Sequence, residues 1–187
     1  MKLMHSHESG RSMVEMLGVL AIVGVLSVGG IAGYSQAMSK FKITKAMDQV
    51  QTIITNMRTL YASSRTYSAL TANAAYDVGL LTDETFNEGE TAGLNPFGGE
   101  IIFGVGNNNR SFTVEYTGLT PEACVKIATA DWGADESSGL ISLTLNDTQH
   151  IWRSQGGTNS ILPIDVATAI SECGSDTGET SIIWEYR

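Results

Sequence analysis

The 187-residue chain has only three prolines, two cysteines and three histidines, and each shortage removes a class of protein. Cys124 and Cys173 stand too far apart, with too few companions, for a zinc site, which needs more ligands at closer spacing. His5 and His7 lie in the first ten residues, so His150 is the only histidine of the remaining chain. No HExxH, GxSxG or phosphate-loop pattern occurs. The expectation is therefore a protein that is not an enzyme, with no catalytic residue, no metal ligand and no cofactor. Basic residues are scarce too. After Arg65 there are only Arg110, Lys126, Arg153 and Arg187, against seventeen acids from Asp77 to Glu185. Such a surface repels phosphate backbones, so no nucleic acid partner is expected.

What is present is concentrated at the start. Mean hydropathy is near zero, yet residues 13–34 are almost wholly apolar, interrupted only by Glu15 and Ser27. As a helix these residues would span about 33 Å at about 1.5 Å each, enough for a bilayer core of about 30 Å. A secretory signal peptide would have a shorter apolar region ending in small residues. A cut near residues 29–33 would discard the best membrane anchor. Apolar residues then recur at Met38, Phe41, Ile43, Met47, Val50, Ile53, Ile54, Met57, Leu60 and Tyr61, mostly three and four apart, as on one face of a helix. No proline interrupts residues 11–64, so one helix of about 50 residues is expected, with a break at Gly29-Gly30 as the alternative.

Glu15 is the informative residue, because a carboxylate near the end of a span is costly unless it has a partner. If the chain were cut after Gly10, the new terminus would be Arg11. Its ammonium could then pair with Glu15 of a neighbouring subunit. A solvated glutamate at headgroup level is the other reading, and spacing alone leaves both open.

The stretch Gly10-Arg-Ser-Met-Val-Glu15-Met-Leu-Gly-Val-Leu-Ala-Ile-Val-Gly-Val-Leu-Ser resembles the prepilin signature of the type IV pilins. The resemblance implies a leader peptide (1–10), cleavage between Gly10 and Arg11 by an inner-membrane prepilin peptidase, and methylation of the new amine. It implies an assembly role for Glu15 in docking subunits into a filament. Arg11 departs from the usual Phe, Met or Leu at that place. Lys40, Lys42 and Lys45 follow the span while only Lys2 and Arg11 precede it. The positive-inside rule alone would put the head in the cytoplasm; the resemblance puts it in the periplasm before assembly and outside the cell afterwards.

The expected organisation is a long helix (11–62, membrane span 13–34, amphipathic half 38–62) and a globular head (63–187). In the head, residues 63–99 read as a polar loop. Residues 100–105 and 111–117 read as a hairpin. A helix starts at Thr120-Pro121 and runs to about Ala130. Strands are expected over 140–145 and 180–186, with 150–153 pairing alongside, and a second helix over 163–172. In an exported domain the two cysteines read as one disulfide; in a reducing compartment they would be two buried thiols. A bridge would clamp the two short helices on an antiparallel sheet, an α+β arrangement that resembles the type IVb pilins. Asn95-Pro96-Phe97-Gly98 and the stretch from Phe112 to Thr120 resemble the toxin-coregulated group. The expected partners are other copies of the chain in a helical homopolymer, the peptidase, the inner-membrane assembly machinery, and the membrane itself before assembly. A type II secretion pseudopilin and a monomeric membrane-anchored binding or sensor domain are the alternatives. Asp83-Glu84 and Asp135-Glu136 are read as solvated loop acids rather than calcium ligands. Asn146-Asp-Thr148 fits the N-x-T glycosylation pattern, a very weak signal outside a glycosylating host, and Trp132, Trp152 and Trp184 are expected in the core.

Overall fold

The computed structural model describes residues 9–64, 66–68, 70–87, 89–106, 109–133, 136–152, 160–174 and 180–187. The chain divides into two units, residues 1–41 and 42–187. Helix α1, Ser9–Leu60, crosses that boundary without interruption, so Gly29-Gly30 does not break it. In the first unit residues 13–37 are exposed all round, including every large apolar side chain from Met13 to Tyr34.

In the second unit the lower half of α1 is amphipathic. Ile43, Ala46, Val50, Ile53, Ile54 and Met57 are buried, spaced three and four apart. Burying an isoleucine or methionine of this kind contributes about 1.5–3 kcal/mol. Two members of the expected stripe fall outside it: Phe41 and Leu60 are exposed. Phe41 is two positions before Ile43, about 200° around the helix, and so lies on the opposite face. Ala46, fully buried, replaces it on the inner face.

The sheet has seven strands in the order β1-β2-β3-β7-β4-β5-β6. These are β1 Gly93–Leu94, β2 Glu100–Val105, β3 Phe112–Leu119, β4 Leu140–Leu145, β5 Thr148–Ile151, β6 Ser160–Ile161 and β7 Thr180–Tyr186. All neighbours are antiparallel except β5 and β6, which run parallel. The carboxy-terminal strand is thus central. Its sequence TSIIWEY alternates, burying Thr180, Ile182, Trp184 and Tyr186 and leaving Ser181, Ile183 and Glu185 half-buried. The loop expected over 63–99 is not wholly irregular. It contains a short helix, α2 (Ala72–Asp77), capped by Thr71, and the edge strand β1.

Helix α3, Pro121–Ala128, begins as expected: the Thr120 hydroxyl accepts from the Ala123 amide and Pro121 occupies the first turn. Helix α4 starts later than expected, spanning Val166–Cys173. Asp165, not Pro163, sets its start, because its carboxylate accepts from the Ala167 and Thr168 amides at 2.9 and 3.0 Å. Gly174 caps its end. The strand expected over 150–153 instead ends at Ile151 and begins at Thr148; Arg153 lies outside the described residues.

Candidate functional site

The residues nominated for processing and assembly lie at the start of α1. The backbone at Gly10 and Arg11 is helical, within the first turn. Glu15 is exposed, flanked by Met13, Val14, Met16 and Leu17, each more than half exposed. One carboxylate therefore interrupts an apolar surface that is open on every side within this unit. A surface of that kind, more than twenty residues long, is stable only against lipid or against other apolar helices.

The head carries the second group of nominated residues. Cys124 on α3 and Cys173 at the end of α4 form a disulfide, with Cα atoms 5.8 Å apart and a sequence separation of 49. Both are fully buried. A closed loop of this size stabilises by about 4 kcal/mol in the chain-entropy model.

Asn146, His150 and Glu172, to which the sequence reading gave no such role, hold α4 to the sheet beside that bridge. Asn146 lies in the β4–β5 turn with φ +50°. Its side-chain amide donates to the Glu172 carbonyl at 2.8 Å, and its carbonyl accepts from the Ser181 amide at 3.0 Å. His150, fully buried on β5, meets the Glu172 carboxylate through Nε2 at 2.7 Å. The terminal turn of α4 is thus fixed by its backbone, its side chain and the neighbouring cysteine. The nitrogen that a glycan would occupy is engaged in this clamp, so Asn146-Asp-Thr148 is a structural turn. An Asn-Asp pair directly after the leucine-rich run Leu140–Leu145 was the available signal, since both residues favour hairpin turns.

A second fixed turn links β1 and β2. Asn95 is buried and uses its whole side chain: Nδ2 donates to the Thr117 and Glu100 carbonyls, and Oδ1 accepts from the Phe97 and Gly99 amides. Gly99 must be glycine there, because a Cβ would fall 1.9 Å from the Thr117 carbonyl oxygen. Opposite it, Gly118 takes φ +67° where the β3–β7 register shifts.

The tryptophans are core, as expected. Trp132 donates to the Ile127 carbonyl and Trp152 to the Leu140 carbonyl, while Trp184 packs edge-on against Tyr116 and Trp132. The Tyr186 hydroxyl donates to the Trp132 carbonyl at 2.7 Å, and burial pushes its pKa up to about 12. Burial raises the Tyr116 hydroxyl as well. Among the loop acids, Asp83 accepts from the Tyr76 hydroxyl at 2.5 Å and Glu84 faces Lys45 at 3.6 Å. Asp135 lies outside the described residues, and among the described residues no group of three potential metal ligands converges.

A long helix laid on an antiparallel sheet, with two short helices bridged by a disulfide, is the fold of a type IV pilin. The solved structure of TcpA, a type IV pilin from Vibrio cholerae El Tor biotype, shares it with a TM-score of 0.52 at 18% identity, over 78% of this chain and 99% of that one. The family is narrower than the fold. The family model named Bundlin matches residues 36–187. The major structural subunit of bundle-forming pilus from Escherichia coli O127:H6 is 30% identical over 175 residues, covering 90% of this chain and 91% of that protein. The toxin coregulated pilin of Vibrio cholerae serotype O1 is 30% identical over 131 residues, covering 66% of this chain and 58% of that protein. The chain belongs to the bundlin family of type IVb pilins, and so to the structural pilin subunits.

Proposed function

We propose that the chain is a pilus subunit that is cut between Gly10 and Arg11 by a prepilin peptidase and polymerises through α1 into an extracellular filament. One observation carries the reading: residues 13–34 form an exposed, almost wholly apolar helical stretch in a chain that is 30% identical to a pilus major subunit along nearly its whole length. Before assembly that segment sits in the inner membrane with the head in the periplasm. In the filament the same surface is covered by helices of other copies, and the acidic heads face outward. Cleavage places the Arg11 ammonium four residues from Glu15, and Glu15 pairs with the ammonium of an adjacent copy. In an apolar bundle an unpaired carboxylate is strongly destabilising, so the pair dictates which axial stagger is allowed. The subunit acts by packing and not by catalysis.

Substituting Glu15→Ala in the native host and imaging sheared surface material by electron microscopy tests this. Filaments should disappear while the processed subunit still accumulates in the membrane. Normal filament numbers from the alanine variant would refute the role given to Glu15.

A further inference from the structure

One groove in the second unit, between α1 and the head, has the opposite charge to the acidic head. It encloses about 360 Å³ between the α1 residues Lys42, Lys45 and Gln49 and the turn at 95–98, with Glu84 on its rim. Lys42 and Lys45 are three residues apart, on one face of α1. Lys45 faces Glu84 at 3.6 Å in a solvent-exposed pair, the kind that holds weakly. Lys42, half-buried, has no salt bridge among the described residues. Gln49 lines the same groove with its side-chain oxygen buried and without a hydrogen-bond partner. Two ammonium groups therefore line the groove, against a single exposed carboxylate.

We propose that this groove seats a carboxylate side chain from the head of a second copy of the chain. The charge is complementary: beyond Arg65 the head has seventeen acids and four basic residues. The donors match too, since a carboxylate accepts from two ammonium groups at once. Each copy carries both the basic groove and the acidic surface, so the contact joins unlike surfaces. Contacts of that kind, repeated with a rise, propagate without closing, as a filament requires. The inference rests on the filament reading and adds to it an electrostatic contact outside the apolar helix bundle.

Acetylation of surface amines, read by mass spectrometry, is compared for detergent-dispersed subunits, membranes from an assembly-deficient strain, and sheared filaments. Labelling of Lys42 and Lys45 should fall at least several-fold in filaments alone. Zero-length carbodiimide coupling of filaments should also give a dimer band holding peptides that join Lys42 or Lys45 to a head acid, links absent from the monomer band. Protection already complete in unassembled membranes would assign the groove to lipid headgroups and overturn the proposal. Equal labelling in all three samples would overturn it as well. If the wild-type chain makes no filaments, the filament reading itself fails. The pair Lys42→Arg, Lys45→Arg should keep normal filament yield, and Lys42→Glu, Lys45→Glu should lower it at least tenfold; equal yields from the two would contradict the proposal.

Discussion

Reducing the Cys124–Cys173 bridge removes the constraint that closes a loop between residues 49 positions apart in the head. That loop contains β4, β5, β6 and nearly all of α4, whereas β7, the central strand, lies outside it. In the unfolded chain the bridge removes loop-closure entropy equivalent to about 4 kcal/mol. Both sulfurs are buried, so replacing them with two alanines also removes some packing, and the total effect should be slightly larger than that of reduction alone. With a urea dependence of about 2 kcal/mol per molar, the unfolding midpoint should fall by about 2 M. The assay is urea unfolding of the full chain in mild detergent, followed by near-ultraviolet circular dichroism from the buried Trp132, Trp152 and Trp184. Oxidised, reduced and Cys124→Ala/Cys173→Ala chains are compared. A midpoint shift below about 0.5 M on reduction would refute the reasoning, because the clamp at Asn146 and His150 would then hold α4 without the bridge.

Asn146→Ala should destabilise the head by about 2–3 kcal/mol, since it strips partners from Glu172 and Ser181 and forces alanine to positive φ. Asn146→Gly, which removes only the steric part, should recover about 1 kcal/mol of that loss in the same urea assay. Gly99→Ala should cost more than about 3 kcal/mol, because its Cβ would overlap the Thr117 carbonyl, and it should cost more than Gly118→Ala, which meets strain but less crowding. Tyr186 ionises at 10.0 when unfolded and about 12 when folded. Its contribution is therefore whole below pH 10 and lost as pH rises toward 12, and Tyr116 acts in the same direction. Stability measured between pH 9 and 12 should decline less steeply in Tyr186→Phe than in the parent.

The elements legible in sequence were those whose local chemistry and burial agree. Thr180–Tyr186 alternates cleanly and Leu140–Leu145 is a short run rich in leucine, so both strands lie where expected; Thr120-Pro121 carries its own cap, so α3 starts where expected and ends at Ala128, two residues short of Ala130. Residues 63–99 read as loop because α2, with the sequence ANAAYD, has two buried alanines and no long apolar stripe. Strands β1 and β6 are two residues each, too short for alternation to register. Pro163 looked like a helix start, but the cap lies two residues on, at Asp165. The clamp at Asn146, His150 and Glu172 joins residues up to 26 apart, and its partners become neighbours only once the sheet forms. The lysines beyond the span looked like an orientation signal. In the second unit, Lys42 and Lys45 also line a groove, a pairing that depends on where the 95–98 turn comes to lie.

The central claim, a processed and exported filament subunit, is tested most directly by the intact mass of the protein in filaments sheared from its own host, before and after reduction and alkylation. The account predicts a chain beginning at Arg11 in which Cys124 and Cys173 resist alkylation until reduced. Recovery of the chain from Met1 with two free thiols would contradict it.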